Sequence, residues 1–166
     1  MKFSIEQRFA GATDDVARAY ADPDLYVALQ ALPKRSHPDV VGHAVHGDVV
    51  TLEVRYRFAG ELSAAARAVI DPARLTWVER SVHDLAAHST TFTMLPDHYA
   101  DRFRCSGSYR FEGVAGGTQR RGAGDLRVKV LLVAGAVEGA IVSGLREHLI
   151  DEVPIVNAFV AKPSGS

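Results

Sequence analysis

Glu79 is the residue best placed by type and context to move a proton. It follows Trp77 by two positions in Leu75-Thr-Trp-Val-Glu79, and strand alternation puts both side chains on one face. A carboxyl buried beside an indole would carry a raised pKa and could serve as a general acid or base. The plainer alternative pairs it with an arginine at a sheet edge. His148, far along the chain, is the second candidate for proton transfer, provided both side chains reach one bound atom.

Other constellations point away from catalysis. The seven histidines, at 37, 43, 46, 83, 88, 98 and 148, show no metal-ligand spacing such as His-Glu-x-x-His. His43 and His46 fall on opposite faces of a strand. His83 and His88 flank the turn Asp84–Ala87 without a clear third ligand and read as solvated. No metal and no cofactor are expected. A Gly-x-Ser-x-Gly nucleophile elbow is lacking, and Ser106-Gly-Ser108 falls on a strand's polar face. The glycines from Gly113 to Gly117 join two strands and precede no helix, so they do not form a phosphate cradle. Cys105 alternates with Phe103, Gly107, Tyr109 and Phe111 and reads as an inert buried thiol.

A pocket is the better lead. Val50, Leu52, Val54, Tyr56 and Phe58 share one strand face, and Thr90, Phe92 and Met94 share another. Tyr56, Trp77, Phe92, Met94, Phe103 and Tyr109 would line a curved sheet, closed from above by Ile141, Leu145 and His148. That describes an apolar cavity with a few polar tips, which suits a small hydrophobic molecule. The alternative is a filled core whose phenols reach carbonyls or water.

The positioning elements are legible from periodicity. Residues 2–9 alternate as a half-buried strand. Thr13 with Asp14 and Asp15 starts a helix, the hydroxyl as cap and the acids at the positive end of its dipole. It stops at Asp22-Pro23, and a second short helix runs from Pro23 to about Leu32, ended by Pro33. Strand periodicity returns from His37, through a Gly47-Asp48 hairpin signal, into Val49–Phe58. The Ala-rich segment 61–70, capped by Ser63, reads as a short helix or lid. Strands follow at 75–82, 89–95, 102–112 and 118–132. A long helix then begins near Gly135, with Val137, Ile141, Leu145 and Leu149 at four-residue spacing. Its apolar side needs cover, so the strands must wrap it. Pro154 predicts a kink or break near Glu152.

Composition narrows the partners. At 166 residues, with 47% hydrophobic and 23% charged residues, the chain suits one domain, 1–162, with a frayed tail at 163–166. A formal charge of −1 gives no global bias toward nucleic acid or anionic membranes. Arg102, Arg104, Arg110, Arg120, Arg121, Arg127 and Lys129 are expected on a basic outer sheet face. The acids gather at Asp14, Asp15, Glu147, Asp151 and Glu152. With no aromatics interleaved, that basic face reads as solvated and salt-bridged across strands, not as a nucleic-acid site. The apolar run from Val130 to Leu145 is shorter than the about 20 residues of a membrane span, so no stable membrane insertion is expected. A lone cysteine and a start that enters strand alternation directly predict a cytoplasmic protein without a signal peptide.

Three local patterns in this order of elements resemble the helix-grip superfamily called SRPBCC or START-like. They are Gly11-Ala-Thr-Asp-Asp-Val16 with Tyr20-Ala-Asp-Pro-Asp24, then Leu75-Thr-Trp-Val-Glu79, then Gly124-Asp-Leu-Arg-Val-Lys-Val130 with Gly135-Ala-Val-Glu-Gly-Ala-Ile141. The last is most similar to a bacterial domain family of unknown function within that superfamily. The resemblance implies an α+β fold, a curved antiparallel sheet of six to seven strands around a long C-terminal helix. It carries over no chemistry, because these are packing and turn residues. The expectation is a binder of a small hydrophobic or lipid-like molecule, without catalysis. Second comes a polyketide cyclase or dehydratase-like enzyme using a pocket Tyr, Glu or His, and third a protein-interaction domain with a filled core.

Overall fold

Seven strands realise the alternation: β1 (Lys2–Phe9), β2 (Asp39–His46), β3 (Val49–Arg57), β4 (Thr76–Asp84), β5 (Ser89–Pro96), β6 (Phe103–Val114) and β7 (Gly117–Val128). They form one antiparallel sheet in the order β1-β7-β6-β5-β4-β3-β2. The computed structural model describes residues 1–32 and 37–162. β1 and β2 stand at opposite edges, so the chain between them has to cross the sheet. Two short helices, α1 (Thr13–Tyr20) and α2 (Pro23–Leu29), make that crossing and pack against the last helix. A further turn of helix, α3 (Ala64–Arg67), follows β3. The long helix α4 (Ala134–Ala161) then lies against β1, β7, α1 and α2. This is an α+β helix-grip fold.

Local chemistry explains the boundaries. The Asp22 carboxylate accepts from the Asp24 N–H at 2.9 Å with Pro23 next to it, so α2 starts on a capped, pre-set turn. Ser63 accepts from the Ala66 N–H at 3.2 Å and starts α3 the same way. Gly47, at φ +61°, supplies the left-handed residue of the β2–β3 hairpin. On β7, a side chain at Gly122 would sit 2.5 Å from the Tyr109 ring. The bare backbone there lets Tyr109 lie flat over the neighbouring strand.

Several expectations need correction. Thr13 does not cap α1: Ala12 holds the cap position with no side-chain bond, and the Thr13 hydroxyl accepts from Thr118 at 3.3 Å. Regular helix in α2 ends at Leu29, with looser turns to Leu32. The stop at Pro33 and the tail 163–166 lie outside the described residues. β7 stops at Val128, and Leu131 and Leu132 stand 85% and 97% exposed before α4 begins.

The largest difference is in α4, which runs through Pro154 without a break. Proline removes one donor, leaving the Ile150 carbonyl without its helical partner. Ile150 is 66% exposed and Pro154 is exposed too, so the gap opens on the solvent face. Leu149, Glu152 and Val156 are buried on the other face and clamp the helix to the sheet across it. Among the described residues, no helix is long and apolar enough to cross a membrane.

Candidate functional site

Between the concave face of the sheet and α4 lies a cavity of about 680 Å³. Its floor comes from alternate residues of adjacent strands: Tyr56 of β3, Trp77 and Glu79 of β4, Phe92 and Met94 of β5, Cys105 and Tyr109 of β6. Ile141, Leu145, His148 and Leu149 of α4 form the roof. Exposed residues at Arg57, Gly60, Glu61, Glu147 and Asp151 make the rim. Near that rim α4 comes close to the loop after β3: a side chain at Gly144 would lie 4.0 Å from the Gly60 Cα and the Phe58 ring.

The structure therefore places Tyr56, Trp77, Phe92, Met94, Tyr109, Ile141 and Leu145 on the cavity wall, along with Glu79 and His148. Phe103 is elsewhere. It lines a crevice of only about 20 Å³ and packs on the Tyr99 ring, centroids 6.0 Å apart. The β5–β6 ladder ends at Met94 and Cys105, and Phe103 lies beyond it, paired only with Val128 of β7. Strand parity gives the face of a residue, not how far along the strand the cavity extends.

Glu79 meets the cavity without a hydrogen bond or ion pair to any described residue. Burial pushes its carboxyl up to about 7, with Arg120 opposing the shift and Glu152 adding to it. The plainer expectation, an arginine partner at a sheet edge, does not hold. Beside Glu79 the Tyr56 and Trp77 rings stack with centroids 6.0 Å apart, and the His148 ring meets Tyr56 edge-on at 6.3 Å. The His148 Nε2 lies 3.6 Å from the Glu152 carboxylate. Burial raises the Tyr20, Tyr26, Tyr56 and Tyr109 phenols, so all four stay protonated. It also pushes the Cys105 thiol up to about 12, with Glu79 adding to the shift; this is an unreactive cysteine.

The inner end of the cavity holds groups that the sequence reading put elsewhere. Arg120, expected on the outer sheet face, and Glu152, counted among the clustered acids, are 5% and 3% exposed. Arg120 Nη1 donates to Gln7 Oε1 at 2.8 Å and to Glu152 Oε1 at 3.3 Å. The same Glu152 oxygen accepts from the Tyr20 hydroxyl at 2.6 Å and from Gln7 Nε2 at 2.9 Å. The guanidinium carbon sits 3.8 Å from the Tyr20 ring centroid and 3.6 Å from that of Tyr109, an arrangement that favours a cation. The signal was present in the sequence. Leu126 and Val128 face inward, so Arg120 has the inward parity and Arg121 the outward one. Glu152 follows Leu149 by three residues, on the same helix face. Gln7 already lay on the apolar face of β1, directly opposite Arg120 in the register.

The remaining arginines behave as a solvated face. Arg121 pairs with Glu6 and Glu112 at 3.1 and 3.3 Å, and Arg127 with Asp125 at 3.0 Å. His83 is the other correction. It is buried rather than solvated, held between the Ser81 hydroxyl at 2.9 Å and the Thr90 hydroxyl at 3.0 Å. Burial, helped by Arg120, lowers it to about 3, which keeps the ring neutral. Among the described residues no three His, Cys, Asp or Glu side chains gather as a metal site.

A seven-stranded sheet gripping one long helix over a cavity defines the helix-grip class. Solved structures share the architecture over nearly the whole chain. An aromatase/cyclase, Zhui, from Streptomyces sp. R1128 is 14% identical with a TM-score of 0.67, covering 100% of this chain and 99% of that one. Norcoclaurine synthase from Thalictrum flavum is 17% identical with a TM-score of 0.65, covering 98% and 87%. A protein from Thermus thermophilus, TTHA0849, is 14% identical with a TM-score of 0.66, covering 99% and 100%. At such identities the likeness is one of fold alone. No curated protein matches the chain. Residues 4–159 match the family described as "Protein of unknown function (DUF2505)", and the chain belongs to that family.

Proposed function

We propose that this protein binds a small, mainly apolar molecule in the cavity between the sheet and α4. The observation that carries the reading is the cavity itself. Its about 680 Å³ falls within the range of small-molecule sites, and its Tyr, Trp, Phe and Met floor under an Ile and Leu roof supplies the apolar lining such sites have. A filled core, the premise of the protein-interaction alternative, is not what the sheet encloses. Native mass spectrometry of the protein purified from its own host tests the proposal. A co-purified small molecule that is lost on mild denaturation is the expected result. Repeated recovery of the bare chain, together with failure of the neutral dye Nile red to bind, would sink it.

Glu79 supports a second reading, an enzyme of the cyclase or dehydratase kind. A carboxyl that titrates near neutrality and faces the cavity can take or give a proton there. Tyr56 on the floor and His148 on the roof line the same cavity and are available to orient a carbonyl. Turnover of a poly-β-carbonyl compound that disappears in Glu79→Gln, with binding retained, would establish this reading over simple binding.

A further inference from the structure

We infer that the cavity selects a ligand bearing a protonated amine on an apolar or aromatic body, with the ammonium seated on Glu79, and rejects carboxylates and phosphates. This rests on the binding role proposed above and names the chemistry of its ligand. The argument begins with the charges at the inner end. Arg120 is largely committed: its Nη1 is held by Gln7 and Glu152 and two phenol rings cover its faces, which leaves the buried Nε without a partner among the described residues. His148 is likewise turned to Glu152. Arg120 and His148 therefore both face the Glu152 carboxylate. At the exposed rim, Arg57 and Glu61 both line the mouth and bring opposite charges to it, with no ion pair between them. Inside that rim, Glu79 is left as the acidic group facing the cavity without a counterion among the described residues.

An anionic ligand would bring a further negative charge to Glu79 and Glu152 in a low-dielectric space, where repulsion is weakly screened. A cationic ligand supplies the missing partner and forms charge-assisted hydrogen bonds to a carboxylate that burial has left exposed only to the cavity. The walls next to Glu79 suit the same ligand. The stacked Tyr56 and Trp77 rings offer π faces for a cation and apolar area for the body attached to it.

Trp77 is the one tryptophan of the chain and lies on the cavity wall, so its fluorescence reports binding directly. The test titrates the full chain, at about pH 8 where Glu79 is ionised, with 4-phenylbutylamine, 4-phenylbutan-1-ol and 4-phenylbutanoate, which share one body. The amine should bind about tenfold or more tighter than the alcohol, as a charge-assisted hydrogen bond requires, and the carboxylate weakest. Glu79→Gln should abolish the amine's advantage over the alcohol. Equal or tighter binding of the carboxylate, or an amine preference that survives Glu79→Gln, overturns the inference and leaves the binding role standing. Binding of none of the three overturns both. The order of the three ligands on the unmodified chain decides the matter even where the variant fails to fold.

Discussion

Arg120 of β7 and Glu152 of α4 form a buried ion pair at 3.3 Å, with both side chains almost fully enclosed. It joins the sheet to the helix that covers it, at the closed end of the cavity. Burying two charges costs several kcal/mol per ion, which attraction offsets only when the remaining polar atoms are satisfied. Here Gln7 and Tyr20 satisfy Glu152 Oε1 and Arg120 Nη1, while the buried Arg120 Nε donates to no described residue.

Removing one partner should therefore cost more than the pair contributes. Arg120→Met strands the Glu152 carboxylate, and Glu152→Leu strands the guanidinium. Each should destabilise the fold by about 3–5 kcal/mol in urea unfolding. The double variant should cost clearly less than the sum. Strict additivity would mean that the pair is not energetically coupled.

Glu79 makes the fold less stable as pH rises. Its folded pKa of about 7 lies above the ordinary 4.5, so between these values the folded state holds a proton the unfolded state has lost. Stability then falls with pH across that window and levels off above it, a difference of about 3 kcal/mol. Burial sets this value, with Arg120 opposing it and Glu152 adding to it; His148, Tyr26, Tyr56, Tyr109 and Cys105 line the same cavity. Glu79→Gln removes the titration. Its stability relative to the unmodified chain should climb between about pH 5 and pH 8, measured by urea midpoints at each pH. A constant difference would place the carboxyl in water.

His83 acts in the opposite direction. Its folded pKa of about 3 lies below the ordinary 6.5, so in that window the unfolded state binds the extra proton. Stability falls as pH drops from about 6.5 toward 3. Replacing the ring by His83→Gln, which can still meet Ser81 and Thr90, should flatten the acid limb of thermal unfolding by several kcal/mol, on the order of that pKa difference. An unchanged acid limb would assign it to other groups.

The fold was more legible than the site because the two depend on different information. Alternation in Val50, Leu52 and Val54, turn residues at Gly47-Asp48, and the cap at Ser63 are local, and local rules located each element. The cavity's floor followed from the same parity. Its inner end did not, because charged residues were assigned outward by type. Parity alone, with Leu126 and Val128 inward, turns Arg120 in. What no local rule supplies is the partner: Arg120 and Gln7 meet only because β1 pairs with β7, across more than a hundred residues of chain. Phe103 failed for the complementary reason, since the extent of a cavity depends on where neighbouring strands end.

Pro154 offers a direct test of how tertiary contacts override a local breaker. Because the proline is exposed and its side chain supports no buried contact, Pro154→Ala restores the donor to the Ile150 carbonyl without disturbing Leu149, Glu152 or Val156. The variant should gain about 1–3 kcal/mol in urea unfolding, with ligand binding unaltered. Destabilisation would show that the proline shapes the helix in a way the fold requires.

Two neighbouring kinds of α4 residue separate empty space from packed core. Leu145 roofs the cavity, whereas Val142 is buried in contact with the core. A tryptophan at position 145 can extend into unoccupied volume, so Leu145→Trp should stay within about 1 kcal/mol of the unmodified chain. At position 142 there is no such volume, and Val142→Trp should lose about 1–3 kcal/mol or more, as overpacking does. Binding should separate them in the other sense. Leu145→Trp fills part of the site and should weaken Nile red binding about tenfold, read from the dye's own emission, while any folded fraction of Val142→Trp retains it. Equal destabilisation by the two substitutions would mean that the space under Leu145 is closed in solution, and the binding role would fall with it.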